Sequence, residues 1–366
     1  MNILHLDEQI GWRGGEQQAS WLVQGLAAKG HQVWIAGKPD GEFLKSVHGN
    51  APLNRVPLPF RAELDFYTCW RLAQIVYQEE IDIIHAHTSH THTIACITRA
   101  MARRASAVVS RRVSFPPKTD VFNRWKYRAP DALLAVSENV ADVLRESGLP
   151  EGKVIRVYSA IDLARLDVSA ASRKDLGVAK DASLLLSAGA LVDHKDHATL
   201  LSAMPAIVAA RPKVRLLIAG EGPLRASLEK QIAELALADH VTLLGHRTDV
   251  PALVHAADLY ISSSWSEGLG TSVLEALACE TPVVAARAGG IPEMIITGKT
   301  GRLVPNRDPS ALAEAVLDTI KHPEASARMA AAGRKLVEQR FTADRMVEST
   351  LEVYLKLVAR AREYTP

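Results

Sequence analysis

Leu259-Tyr-Ile-Ser-Ser-Ser-Trp-Ser-Glu-Gly-Leu-Gly-Thr-Ser-Val-Leu-Glu-Ala-Leu-Ala278 decides the architecture of this chain. The apolar run Leu259–Ser262 reads as a buried strand. A glycine-rich loop follows, and helical periodicity begins at about Thr271. A second apolar run, Val283–Ala286, closes the unit as strand, helix, strand. The same alternation extends in both directions. Short apolar runs at Ile3–Leu6, Val33–Ala36, Ile81–Ala86, Ala107–Ser110, Ala132–Val136 and Val154–Val157 precede it. Between them lie helical stretches such as Gln17–Lys29 and Thr68–Glu79. Regularity lapses over residues 158–172 and resumes with Leu184–Ala188, Val214–Ala219 and Val241–Leu244. Buried parallel strands alternating with helices mean α/β, with doubly wound sheets. The lapse marks a linker between two Rossmann-like halves. Three helical stretches end the chain, at Pro309–Lys321, Glu324–Gln339 and Ala343–Glu363.

A chain of 366 residues exceeds one ordinary core and suits two domains. A net charge of +2 gives no bulk reason to expect nucleic acid as a partner. The scattered Cys69, Cys96 and Cys279 have no metal-ligand spacing and read as small buried hydrophobes of a reducing compartment. The N-terminus enters a strand without a charged-then-apolar leader. No uncharged apolar run approaches the roughly 18 residues of a membrane span. The expectation is a cytoplasmic protein.

The loop opening at Glu267 carries the chemistry. A helix beginning at Thr271 presents unpaired N–H groups and a positive dipole end, which suit phosphate oxygens. Gly268 and Gly270 remove side chains that would keep a ligand off that backbone. Glu275 lies four residues beyond Thr271 on the same face and leans back toward the N-terminus. There it can accept from a vicinal diol such as a ribose, while Glu267 can accept from a second polyol. Phosphate between two diol-reading carboxylates describes a nucleotide sugar. The plain alternative is a dipole-favoured first-turn acid and a solvated helix glutamate.

This Glu-x7-Glu pattern, its EGLG loop and the following LEALACETPVVAARAGGIPEMI resemble the retaining glycosyltransferases of family 4. LLLSAGALVDHK, LLIAGEGPLRASLE, VTLLGHRTDVPALVHAADLYISSS and TGKTGRLV match at family spacing, most strongly over residues 184–304. The resemblance implies the GT-B fold, with two Rossmann-like domains facing across a cleft. Residues 1–160 form the acceptor-side domain and 170–342 the donor domain, with a C-terminal helix over about 343–366 packing back on the first. It also implies a nucleoside diphosphate sugar, UDP or GDP, as donor substrate, with no metal or other cofactor. Glu267 and the backbone of Gly268, Leu269 and Gly270 would hold the transferred sugar. Thr271, Ser272 and Val273 would face the diphosphate, and Glu275 the ribose. Lys195, closing the GALVDHK loop, would reach the diphosphate as a point charge; its alternative is a solvated lysine. Where the family usually places an arginine, this chain has Ala190; Arg225 and Arg247 are possible substitutes.

Gly220-Glu-Gly222-Pro-Leu-Arg225 also follows a strand, but a dinucleotide fingerprint needs glycine where Arg225 stands. A tight turn entering a helix is the better reading.

In the first half, Gly14 and Gly15 follow strand one and are expected in a strand-to-helix turn, facing the donor phosphate in family fashion. Glu16 beside them is a candidate acceptor contact. Glycines serving turn geometry alone are the alternative. His85, His87, His90 and His92 suggest a metal by spacing, yet no carboxylate pair completes a site. The resemblance makes His87 a cleft residue near the acceptor. A histidine common after the next strand is absent. Arg111 and Arg112 stand at that strand's end, candidates for an anionic acceptor group or ordinary salt-bridged arginines. From Arg99 to Arg128 there are nine basic residues and one acid, with aromatics interleaved. That run suits either peripheral contact with an anionic bilayer, at the inner face of the plasma membrane, or a solvated face.

The expected reaction is hexosyl transfer to a hydroxyl of a saccharide or lipid-linked acceptor, with retention, in cell-envelope polysaccharide or lipopolysaccharide synthesis. No Asp-x-Asp occurs, so leaving-group charge falls to Lys195 and the helix end at Thr271. No residue reads as a nucleophile, and the family's route, with a diphosphate oxygen assisting deprotonation, requires none. Another GT-B enzyme (an epimerase or a phosphorylase) and a non-catalytic nucleotide-sugar-binding protein stay open.

Overall fold

The computed structural model describes residues 1–47 and 53–363. The chain divides into two compact units, Met1–Ala160 with Ala343–Pro366, and Ile161–Thr342. Residues 364–366 of the expected C-terminal helix lie outside the described residues.

The first unit runs β1 (Asn2–Leu6), α1 (Gly14–Ala28), β2 (Gln32–Gly37), α2 (Glu42–Ser46), β3 (Asn54–Pro57), α3 (Phe66–Gln78) and β4 (Ile83–Ala86). It continues with α4 (Ser89–Ala102), β5 (Ser106–Arg111), α5 (Val121–Arg128), β6 (Ala132–Ala135), α6 (Glu138–Glu146) and β7 (Val154–Arg156). Its seven strands pair in the order β3-β2-β1-β4-β5-β6-β7, all parallel. The second unit holds β8 (Leu184–Ala188), α7 (His197–Ala210), β9 (Arg215–Ala219), α8 (Arg225–Glu234), β10 (Val241–Gly245) and α9 (Val250–Ala256). Then come β11 (Leu259–Ser262), α10 (Thr271–Ala278), β12 (Val283–Ala286), β13 (Arg302–Val304), α11 (Pro309–Lys321) and α12 (Pro323–Arg340). These six strands order as β10-β9-β8-β11-β12-β13, again parallel.

Both sheets are doubly wound, as the alternation predicts. Each reverses its strand order beside its first strand, where such sheets carry ligands at their C-terminal edge. Sequence reading misses β3 and β13, and both are edge strands. An edge strand lacks one neighbour, so it carries little of the apolar run that marks a central strand. Asn-Arg-Val-Pro and Arg-Leu-Val have only that weak signal.

The last helix, α13 (Ala343–Glu363), belongs to the first unit. Met346, Val347, Thr350, Val353, Tyr354 and Leu357 are its buried positions, one stripe at helical spacing. Its crossing of α1 is close: a Cβ at Gly25 would lie 2.5 Å from Val347 Cγ2. Only glycine lets the two helices approach this far. Each unit has its own apolar core, lined by strand residues such as Leu4, Ile84 and Leu133 in the first and Leu185, Leu216 and Ile261 in the second.

Candidate functional site

The second unit brings three loops together at the C-terminal ends of β8, β9 and β11. The loop after β11 is tied to the loop after β8 by four contacts. Trp265 donates its backbone N–H to His194 O at 3.0 Å and its indole N–H to Asp193 O at 3.1 Å. Ser263 Oγ donates to Lys195 O at 3.0 Å. Lys195 Nζ then meets Glu267 Oε1 at 2.5 Å, and Ser264 Oγ donates to the same oxygen at 2.8 Å. Two groups that are 72 residues apart thus form one charged pair, 19% and 11% exposed. Such an ion pair is dry enough to be oriented and open enough to exchange partners with a ligand.

Glycines make these crossings possible. A Cβ at Gly289 would lie 1.8 Å from Glu267 O, and one at Gly220 would lie 1.9 Å from Gly189 O. Gly222 rests against the backbone of Leu191, where a Cβ would meet the carbonyl oxygen at 2.4 Å. The Gly-Glu-Gly-Pro segment therefore supports the Lys195 loop from behind. Its arginine, Arg225, is occupied by Glu221 at 2.6 Å and Glu229 at 2.9 Å. Arg247 pairs with Asp249. Both substitutes for the missing family arginine are therefore held by carboxylates of their own.

Helix α10 starts at Thr271, after Gly270 in a left-handed conformation (φ 97°), and no side chain caps it. A Cβ at Gly270 would press on Ile291 and Met294, each at 3.2 Å. The N–H groups of Thr271 and Ser272 precede the first bond of the helix, which runs from Val273 N–H to Gly270 O. Val273 and Leu269 point their side chains into the core, so only their backbone is available to a ligand. Gly268 and Ser272 are half-buried. Glu275 is half-buried too, and burial pushes its carboxyl above the usual range while the charge of Arg165 opposes the shift.

The first unit assembles a different cluster. His5 of β1, His85 of β4 and His87 just beyond it lie together, all buried. Arg112 donates from Nη1 to His87 O at 2.9 Å and from Nη2 to His87 Nδ1 at 3.2 Å. That makes Nδ1 an acceptor, so Nε2–H of His87 donates to His5 Nδ1 at 2.9 Å. The proton of His5 is then on Nε2, which has no partner. His85 spends both nitrogens on hydroxyls, Tyr354 at 2.5 Å and Ser110 at 2.8 Å. Burial lowers all three histidines, His5 to about 3. His5 carried no motif and was not among the residues expected here. His85 and His87 keep their place, whereas His90 and His92 separate from them. His92 bonds Lys126 O and stacks edge-on against Tyr127; His90 is exposed beside Glu8. The donor set His5, His85 and His87 could ligate a metal by proximity. A guanidinium bonded to His87 opposes a second cation there, and His85 would have to give up a hydroxyl.

Other expected residues of this unit are placed differently from the sequence reading. Gly14 and Gly15 are not in the turn: they are the first residues of α1, and the turn is Asp7–Arg13. Glu16 is third in that helix and accepts from Arg13 N–H at 2.8 Å, so its carboxylate closes the helix start. Gly15 does let Arg112 pass, with Cδ 3.7 Å from where a Cβ would sit. Arg111 donates to Tyr127 OH at 2.7 Å and Phe115 O at 2.5 Å, bracing the segment before α5. Sequence reading gave no signal for Asp7. It is buried, one carboxylate oxygen accepts from Gln9 N–H, and the other has no partner. Burial, with Glu16 and Glu8 nearby, pushes it to about 7.

Residues 168–336 match the family model described as glycosyl transferases group 1, and residues 12–165 match the one described as glycosyltransferase family 4. A D-inositol 3-phosphate glycosyltransferase of Saccharomonospora viridis is 30% identical, over 85% of this chain and 78% of the relative. The N-acetyl-alpha-D-glucosaminyl L-malate synthase of Bacillus anthracis is 24% identical over 91% of each chain. Among solved structures, HepE of Anabaena in complex with UDP and glucose superposes with a TM-score of 0.83, covering 97% of this chain and 100% of HepE at 23% identity.

Proposed function

Because the chain belongs to the glycosyltransferases of the group 1 and family 4 type, we propose that it moves a hexosyl group from a nucleoside diphosphate sugar to a hydroxyl of a saccharide or lipid-linked acceptor, with retention at the anomeric carbon. The observation that carries this reading is the Lys195–Glu267 pair beside the uncapped start of α10. An incoming diphosphate takes Lys195 from Glu267. The freed carboxylate then accepts from hydroxyls of the sugar. Leaving-group charge grows on the diphosphate as the glycosidic bond breaks, and Lys195 with the N–H groups of Thr271 and Ser272 stabilises it. Glu275 is placed to accept from the ribose. These roles need no metal, and turnover should be unchanged by a chelator.

Uridine or guanosine diphosphate is the donor nucleotide we favour; HepE was solved with UDP. The acceptor side is assigned to the first unit, at His87 and Arg112. We place the enzyme in cell-envelope saccharide synthesis, at the cytoplasmic face of the membrane. No helix among the described residues is long and apolar enough to cross a membrane. The basic run does not support contact as one patch: Arg99, Arg103 and Arg104 lie at the end of α4, Arg111 and Arg112 at the end of β5. Lys126 is buried against Glu63. Contact through apolar side chains falls to α5 and the loop before it, where Phe115, Val121 and Trp125 are exposed.

The test is a thermal-shift screen of UDP-, GDP- and ADP-sugars, followed by turnover with the best donor and a panel of acceptors. Glu267→Ala and Lys195→Ala should each lose at least a hundredfold in kcat/KM. Undiminished turnover in both would overturn these roles. Product without acceptor would mark an epimerase, a requirement for free phosphate a phosphorylase, and stabilisation without turnover a binding protein.

A further inference from the structure

The first unit also holds a concavity lined by basic side chains. A cavity of about 690 Å³ opens between the end of α4, the start of β5 and the end of α13. Arg99, Arg103, Arg104, Lys153 and Arg360 line it, with Asp131 as the single carboxylate. A second cavity of about 520 Å³ shares Arg103 and Arg104, so the two form one groove; it adds Arg362 and a carboxylate, Asp82, which accepts from Asn2 N–H at 2.9 Å. The volume suits a small ligand.

The charge is more than the fold requires. Arg99 spends its guanidinium on Asp131, through Nε at 2.7 Å and Nη2 at 2.8 Å. Lys153 donates to the carbonyls of Arg128 and Pro130. Arg104 has only a loose contact with Glu80 at 3.7 Å. Among the described residues no carboxylate pairs with Arg103 or Arg360. Basic side chains near helix C-termini do complement helix dipoles, but two helix ends supply only about one negative charge between them. Five cations against one carboxylate leave a surplus of four in the first cavity, so about two positive charges are uncompensated after the dipoles and Glu80. Arg103 also adopts a left-handed conformation (φ 52°) as the residue closing α4, and it lines both cavities.

We propose that this groove binds a multiply charged phosphate, held between the Arg103–Arg104 pair and Arg360. Planar guanidinium groups from two elements can each take two oxygens of such a ligand. The groove lies at the N-terminal ends of the strands, and His87 and Arg112 lie at the C-terminal ends. β5 alone separates the two by about 20 Å. Occupancy therefore does not compete with the His87 and Arg112 site. It pins α13, whose Tyr354 holds His85, so binding should raise the melting temperature of the first unit.

Two sources carry this chemistry, a soluble polyphosphate and the headgroup of an anionic phospholipid. The full chain is titrated calorimetrically with inorganic diphosphate and tripolyphosphate, and floated with phosphatidylcholine vesicles with and without phosphatidylglycerol. Arg103→Ser with Arg360→Ser should weaken one or both interactions at least tenfold, whereas Arg103→Lys with Arg360→Lys should retain most of the binding. Lys195→Ala separates this groove from the second unit and should leave the Arg103- and Arg360-dependent binding in place. Lys230→Ser with Lys335→Ser, which removes equal charge from exposed positions of the second unit, should also leave it intact. Dependence seen only with soluble probes assigns a free phosphate ligand, and dependence seen only with anionic vesicles assigns a headgroup. No binding of either probe, or equal binding by the serine variant, overturns the proposal.

Discussion

The loop cluster of the second unit and the histidine cluster of the first occupy corresponding edges of two similar sheets, yet they are built by opposite means. In the second unit, main chain crosses main chain at Gly189, Gly220 and Gly289, and one partly exposed ion pair joins the loops. In the first, side chains from β1, β4, β5 and α13 hold one another, and the contact between His85 and Tyr354 spans 269 residues. One cluster is fixed by what is absent at glycine, the other by hydrogen bonds among neutral buried rings. The first kind should fail when an atom is added, and the second when a proton is.

Adding an atom gives the largest expected difference. Gly289→Ala forces a Cβ into the Glu267 carbonyl at a left-handed position (φ 48°). It should cost the second unit about 3 kcal/mol or more and abolish nucleotide binding. The matched change in the first unit, Gly15→Ala, meets nothing nearer than 3.7 Å. In a helix, it should be neutral or stabilise by about 0.5–1 kcal/mol. Denaturant unfolding of both variants checks this, and similar costs would break the distinction.

Protons act in the other direction. His5, His85, His87 and His92 are lowered by burial, so the folded first unit resists protonation that the unfolded chain accepts below about pH 6.5. Its stability is therefore full above that pH and falls as pH drops toward the folded values. Between pH 6.5 and 5, His5 and His92, each lowered to about 3, cost about 2 kcal/mol apiece. Asp7 works against this: its folded value of about 7 lies above its unfolded one, so its burial cost shrinks as pH falls toward 4. Four histidines outweigh one aspartate. The second unit has one buried histidine of this kind, His197, lowered to about 4. Hydrogen exchange at pH 7 and pH 5, corrected for intrinsic rates, should show β1 and β4 losing protection before β8 and β11.

A smaller effect isolates the long-range contact. Tyr354→Phe leaves His85 one buried nitrogen without a partner and should cost about 1–2 kcal/mol. The loss should appear in unfolding of the first unit only.

The contrast also explains what could be read from the chain. Glycines and short apolar runs are local signals, and the second unit writes its site in them: Glu267, Gly268, Gly270 and Lys195 come from two nearby loops of one pattern. The strand alternation gave both sheets for the same reason, apart from the edge strands β3 and β13. His5 and Tyr354 carried no signal, because their meaning lies in the partners that folding supplies. Glu16 and Arg111 were readable as charges at strand and helix ends. Their engagement with Arg13 N–H, Tyr127 and Phe115 depends on backbone geometry that a sequence does not print.

The central claim is that the second unit's loops hold a nucleoside diphosphate through Lys195. Calorimetric titration of the preferred nucleoside diphosphate into wild type, Lys195→Ala and Tyr354→Phe tests it most directly. Lys195→Ala should weaken binding at least tenfold, about 1.4 kcal/mol, while Tyr354→Phe binds like wild type. Equal affinity in wild type and Lys195→Ala would contradict the account.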